Sequence, residues 1–113
     1  MNLQIPNDLL LQIVEAHGAP VYVYNEDVIR AQYLKLANAF TKCNAKFHYA
    51  AKALTNINIL KIFKDLGAGL DTVSIQEVQL GLIAGFSPED IIYTPNCVSF
   101  EEIEAAVELG VKI

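Results

Sequence analysis

The sequence predicts an α/β fold in which a parallel sheet is covered by helices, and three observations predict it. Short apolar runs rich in β-formers alternate with helical patterns along most of the chain. Glycines stand where helical patterns stop, as at Gly67 and Gly85. Strand starts fall near residues 45, 69, 90 and 111, a spacing of twenty-odd residues. Strictly alternating β and α units give parallel strands, because each helical crossover returns the chain to the same end of the sheet.

The elements follow in order. "PNDLLLQIVEAHG" reads as a helix with Asn7 as its cap, Leu9, Leu10, Ile13 and Val14 on one face, and Gly18 as its stop. "PVYVYN" is a β-rich run and predicts a strand. Asn25 then caps a second helix that carries Glu26 and Asp27 in its first turn and reaches about Phe40. After it come strand "AKFHYAAKA", helix "TNINILKIFKDLG", strand "GLDTVS", helix "IQEVQLGLIAG", strand "DIIYTPN" and helix "FEEIEAAVELG". "VKI" opens a fourth strand. Three βα units and a strand fit part of a (β/α)8 barrel, which needs eight units and typically about 250 residues. An open doubly wound sheet is the competing architecture. No Gly-x-Gly-x-x-Gly follows any strand, so a dinucleotide site is not indicated.

Composition narrows the function classes. The chain has 113 residues, 53% hydrophobic and 19% charged, which describes a globular unit rather than a disordered one. Its net charge of −5, with 8 basic residues scattered among 13 acidic ones, argues against nucleic acid and anionic membrane surfaces as partners. Cys43 and Cys97 lack Cys-x-x-Cys spacing, so neither a disulfide framework nor a metal site is indicated. No secretory pattern opens the chain and no apolar stretch is long enough to span a bilayer, so a cytoplasmic protein is expected.

One residue is costly where the pattern puts it. In "FHYAAKAL", period-2 alternation places His48, Ala50 and Lys52 on one face and Phe47, Tyr49 and Ala51 on the other. A lysine closing a buried strand either snorkels its ammonium to the strand end or pairs with a carboxylate. The functional alternative is a desolvated amine that forms an imine with a carbonyl compound, at the strand end where βα loops build active sites. Asp71, which ends the next strand, reads either as a site residue or as a cap for the helix after it. Glu77 completes a Ser74-Ile75-Gln76-Glu77 capping box. Ser99-Phe100-Glu101-Glu102 has the same spacing with no functional counterpart, so that motif alone says little about chemistry. His48 reads as a packed, hydrogen-bonded core histidine, or else as a residue lining the interior of a barrel, and His17 suits a helix C-terminus.

"AHGAPVYVYNEDVIR", "FHYAAKAL" and "GAGLDTVSIQEVQLGLIAGFSPEDIIYTPN", in that order and spacing, resemble the N-terminal part of the diaminopimelate decarboxylase family. That family belongs to the alanine-racemase-like group of pyridoxal-phosphate enzymes. The resemblance implies a partial pyridoxal-phosphate-binding (β/α)8 TIM barrel over residues 31–113. It assigns residues 1–30, a helix and a strand, to a second, β-rich domain. It implies that Lys52 of "YAAKA" is the catalytic residue and carries pyridoxal 5'-phosphate, with Ala50, Asp71 and Glu77 near the cofactor and no metal. It further implies PLP-dependent decarboxylation of a small-molecule amino-acid substrate, meso-2,6-diaminopimelate, to L-lysine by a homodimer in the full-length form. An ornithine- or arginine-type decarboxylase of the same fold is the nearest alternative, and a noncatalytic pyridoxal-phosphate-binding protein is another. Two departures stand out: Leu54 occupies a place where relatives often carry asparagine, and "YTPNCVS" differs from the Gly-Asn wording of the group. The family's phosphate loop, the acid that partners the pyridine nitrogen, the stacking histidine and the partner-subunit cysteine would all lie beyond residue 113. The 113-residue chain is therefore expected to be an N-terminal portion, inactive alone and prone to associate through uncovered edges.

Overall fold

A computed structural model describes residues 5–113. Two helices lead, α1 (Asn7–His17) and α2 (Glu26–Ala39). Strands and helices then alternate as β1 (His48–Ala50), α3 (Ile57–Asp65), β2 (Gly69–Thr72), α4 (Ile75–Ala84), β3 (Ile91–Tyr93) and α5 (Phe100–Glu108). The strands form one parallel sheet in the order β1-β2-β3. Lys112 begins the next position by bridging to Ile92, with Tyr93 N–H donating to Lys112 O at 2.7 Å and Lys112 N–H to Ile91 O at 3.1 Å. Sheet order thus follows chain order, as a barrel wall requires.

Local chemistry explains the boundaries. The Asn25 side chain accepts from Asp27 N–H and Val28 N–H, Asn56 caps α3, and Ser74 and Ser99 cap α4 and α5, so amides at each of these four helix starts find a side-chain acceptor. Gly85 ends α4 in the left-handed region at φ 98°, which L side chains adopt at a cost. At α1 the expectation needs correction. Asn7 is its first helical residue and not its cap; Pro6 holds the cap position, and its carbonyl accepts from both Leu9 and Leu10 N–H at 3.1 Å. "PVYVYN" is a second correction, because residues 21–25 form no strand. A strand exists only as a ladder with a neighbour, and among the described residues this run joins no ladder.

The core lies between sheet and helices. Leu70, Ile91 and Tyr93 from the strands meet Leu60 of α3, Val78 of α4 and Ala106 of α5, all fully buried. Gly81 of α4 lets the sheet approach closely, since a Cβ there would lie 2.5 Å from Leu70 Cδ2. Alternation therefore turns Gly69 and Asp71 to the face away from the helices. Tyr49 stacks on Phe63 of α3 at a centroid distance of 3.9 Å, which turns His48 and Ala50 to that same face. Among the described residues no helix is long and apolar enough to cross a membrane.

Candidate active site

Because the strands run parallel, their carboxyl ends share one edge, and the turns after β1, β2 and β3 all emerge there. β1 is shorter than the alternation suggests. It ends at Ala50, which lies opposite Asp71, and Ala51–Ala53 coil into one turn of 3-10 helix. Leu54 N–H closes that turn on Ala51 O at 3.1 Å, and Tyr49 Oη donates to Leu54 O at 3.3 Å. Ala51 is fully buried and anchors the turn, while Lys52 is exposed. The expectation that Lys52 extends the His48–Ala50 face, desolvated inside a strand, is therefore corrected. Its amine projects from a pinned turn just beyond the strand. Among the described residues Lys52 takes part in no ion pair, the three pairs being Arg30–Glu26, Lys46–Asp90 and Lys64–Asp65.

Asp71 lies in register between Ala50 of β1 and Ile92 of β3. It caps no helix, because Ser74 does that work for α4. Thr94, directly after β3, places its hydroxyl 3.0 Å from Asp71 Oδ1 and 3.1 Å from Thr72 O, and its N–H donates to Thr72 O at 2.8 Å. The fully buried Thr72 in turn donates its hydroxyl to Ile92 O at 3.0 Å. Glu77 is engaged at the start of α4: its N–H donates to Ser74 Oγ at 3.2 Å and its Oε2 accepts from Val73 N–H at 2.8 Å. That carboxylate fixes the β2–α4 turn at the same edge.

Lys52, Ala50, Asp71 and Glu77 thus all belong to the carboxyl edge or the turns leaving it. Thr94 was legible only as part of the strand run "DIIYTPN", because a hydroxyl's partner twenty-three residues away leaves no local trace. His48 lies toward the opposite edge. Its imidazole fills the space over Gly69, where a Cβ would come within 2.8 Å of Asp90 O as well as striking the ring itself. The expected hydrogen bond needs correction at its Nε2, which is buried without a partner among the described residues because the ring is packed over Gly69. Burial holds its pKa below the usual 6.5, aided by Lys46 and Lys112 and opposed by Asp71 and Asp90.

Fold and edge together define a class: α/β proteins with a barrel-type parallel wall that present chemistry at the strand carboxyl ends, here around a lysine outside the ion pairs of the described residues. Residues 26–113 match the family model for the pyridoxal binding domain of pyridoxal-dependent decarboxylases, and the chain belongs to that family. It is 38% identical over 105 residues to the diaminopimelate decarboxylase of Methanothermobacter thermautotrophicus, which takes in 91% of this chain and 24% of that protein. The solved structure of diaminopimelate decarboxylase from Helicobacter pylori complexed with L-lysine superposes with a TM-score of 0.84 at 34% identity, over 90% of this chain and 26% of the other. Lysine/ornithine decarboxylase from Vibrio vulnificus, complexed with putrescine, gives 0.85 at 32% identity, over 92% and 28%. The chain spans about a quarter of the length of these relatives.

Proposed function

We propose that this chain forms part of a pyridoxal-phosphate-dependent decarboxylase that converts meso-2,6-diaminopimelate to L-lysine, and that Lys52 is its cofactor-holding residue. The observation that carries this reading is the Lys52 amine, exposed, without an ion-pair partner among the described residues, and held on a turn anchored by buried Ala51 at the carboxyl edge. The residues present fit the cofactor. An aldehyde needs a reachable amine free of a competing salt bridge, and among the described residues Lys52 meets both conditions.

The bound cofactor would supply a ring that accepts the electron pair left as carbon dioxide departs. The chain's own part is binding and orientation. Lys52 Nζ would hold the aldehyde carbon, and Ala50, the last residue of β1, would set only a methyl group beside it. Asp71 would contribute a carboxylate on the same edge, held by the Thr94 hydroxyl. Glu77 would act through the β2–α4 turn that it fixes, next to the cofactor. Solved relatives complexed with L-lysine and with putrescine support a small amino-acid substrate. The second of these favours an ornithine-type substrate as the competing reading. Residues 1–30 would associate with a β-rich second domain, a reading supported by the β-rich composition of "PVYVYN" and by Tyr22, which is 89% exposed. The assembled enzyme would be a cytoplasmic homodimer.

The test is a chimera in which these residues replace the matching quarter of the Methanothermobacter enzyme. Carbon dioxide release should be fastest from meso-diaminopimelate. Faster release from ornithine would move the assignment to the second reading, and release that survives Lys52→Ala would refute the role of Lys52.

A further inference from the structure

The Thr94 hydroxyl has one proton and two acceptors in reach, Asp71 Oδ1 at 3.0 Å and Thr72 O at 3.1 Å. Thr72 O already accepts the Thr94 N–H at 2.8 Å, and an ionised carboxylate is the stronger acceptor, so the hydroxyl proton goes to Asp71. Little freedom remains to change this. The Thr94 backbone is tied to β2, threonine is stiff at χ1, and Thr72 is itself locked to Ile92 O at 3.0 Å. Asp71 lies opposite Ala50, two residues before Lys52, so whatever fixes this carboxylate fixes a negative charge on the edge that carries the amine.

We propose that Thr94 is a positioning residue of the Lys52 site: by donating to Asp71 Oδ1 across the β2–β3 edge, it holds that carboxylate in the one orientation that supports cofactor binding. The proposal rests on the cofactor role of Lys52 and extends it to a residue that touches neither the amine nor, by this reading, the substrate. Valine is nearly isosteric with threonine and keeps the backbone bond while losing the donor. Serine keeps the donor and loses only a methyl group.

In the chimera, pyridoxal phosphate affinity is read by absorption titration, and occupancy of Lys52 by borohydride reduction with peptide mapping. Thr94→Val should weaken binding about five- to tenfold, the size of one ordinary hydrogen bond. Thr94→Ser should stay within about twofold of the parent, which a loss of packing would not allow. In an Asp71→Ala background Thr94→Val should add nothing, because the residue acts through that carboxylate. A separate readout needs no cofactor: the Asp71 χ1 torsion, from NMR couplings in the cofactor-free protein, should be single in the parent and in Thr94→Ser and averaged in Thr94→Val. A parent that takes no cofactor at Lys52 would overturn the cofactor reading, and the proposal with it. A parent that binds at Lys52 while Thr94→Val binds equally well, or costs the same with and without Asp71, would overturn the Thr94 proposal alone. An unchanged Asp71 torsion in Thr94→Val would do so as well.

Discussion

An amine that is to capture an aldehyde must be reachable, free of a stronger partner, and held by something rigid. Lys52 is exposed and outside every ion pair among the described residues, and the residue before it is fully buried. Lysine alone among the cationic side chains can then serve as the nucleophile. Lys52→Ala should remove the borohydride-trapped adduct and most turnover in the chimera, and Lys52→Arg should do no better, because a guanidinium stays protonated. Peptide mapping checks this, and an adduct at Lys46 or Lys61 in the parent would contradict it. Lys46 is an unlike competitor, since it is paired with Asp90. The sequence shows the lysine and its segment plainly, but it does not show the release of the strand after Ala50. Alternation continues on paper through "AAKA", whereas the chain stops pairing at Ala50 and coils, with Leu54 closing the turn.

Among the elements, β1 and β2 are joined by a fit between a histidine and a missing side chain. Gly69→Ala would drive a Cβ to within 2.8 Å of the Asp90 carbonyl and into the His48 ring, and backbone cannot retreat cheaply. We expect a loss of about 2–3 kcal/mol, the range of overpacked cores, read by denaturant unfolding. Truncating the ring in Gly69→Ala/His48→Ala should recover part of it but not the carbonyl clash. The same histidine gives the β1–β2 pair a pH dependence. Its folded pKa is lowered, so the neutral form is favoured by folding. The stabilisation is complete above the unfolded value of 6.5 and is lost as pH falls through the lowered folded value. The Gly69 amide, bonded to Phe47 O at 2.8 Å, should lose hydrogen-exchange protection over that acid range after correction for intrinsic rate. His48→Gln should flatten the dependence. Capping was largely legible: the Asn25, Ser74 and Ser99 side chains all accept from first-turn amides as their spacing predicts, because a cap is a contact between residues two or three apart, but only Ser99 and Glu102 close a reciprocal box, since Glu77 accepts from Val73 N–H instead of Ser74 N–H. Each serine should cost about 1 kcal/mol on replacement by alanine, measured by the same unfolding curves. Asn7 failed as a cap because Pro6, preset for the turn into a helix, took that place one residue earlier.

At the scale of the whole molecule, the parallel wall was readable from the rhythm of the chain, and the observed strands begin at His48, Gly69 and Ile91. What period cannot give is what covers the wall. The sheet order leaves the outer edge of β1 without a ladder partner among the described residues, beside an apolar groove lined by Val28, Ile29, Tyr33, Phe47 and Phe63. On the outer surface Ile83, Phe100 and Val107 are exposed, at 69%, 69% and 64%. Open edges and apolar faces of this kind favour association, so sedimentation of the 113-residue chain should show species larger than the monomer. The central claim is that one lysine at the carboxyl edge anchors the cofactor of an amino-acid decarboxylase. Its most direct test is borohydride reduction of the chimera loaded with pyridoxal phosphate, followed by peptide mass mapping and paired with carbon dioxide release from meso-diaminopimelate. The account predicts a single adduct on Lys52 and turnover that vanishes in Lys52→Ala. An adduct on any other lysine, or turnover that persists without Lys52, would contradict it.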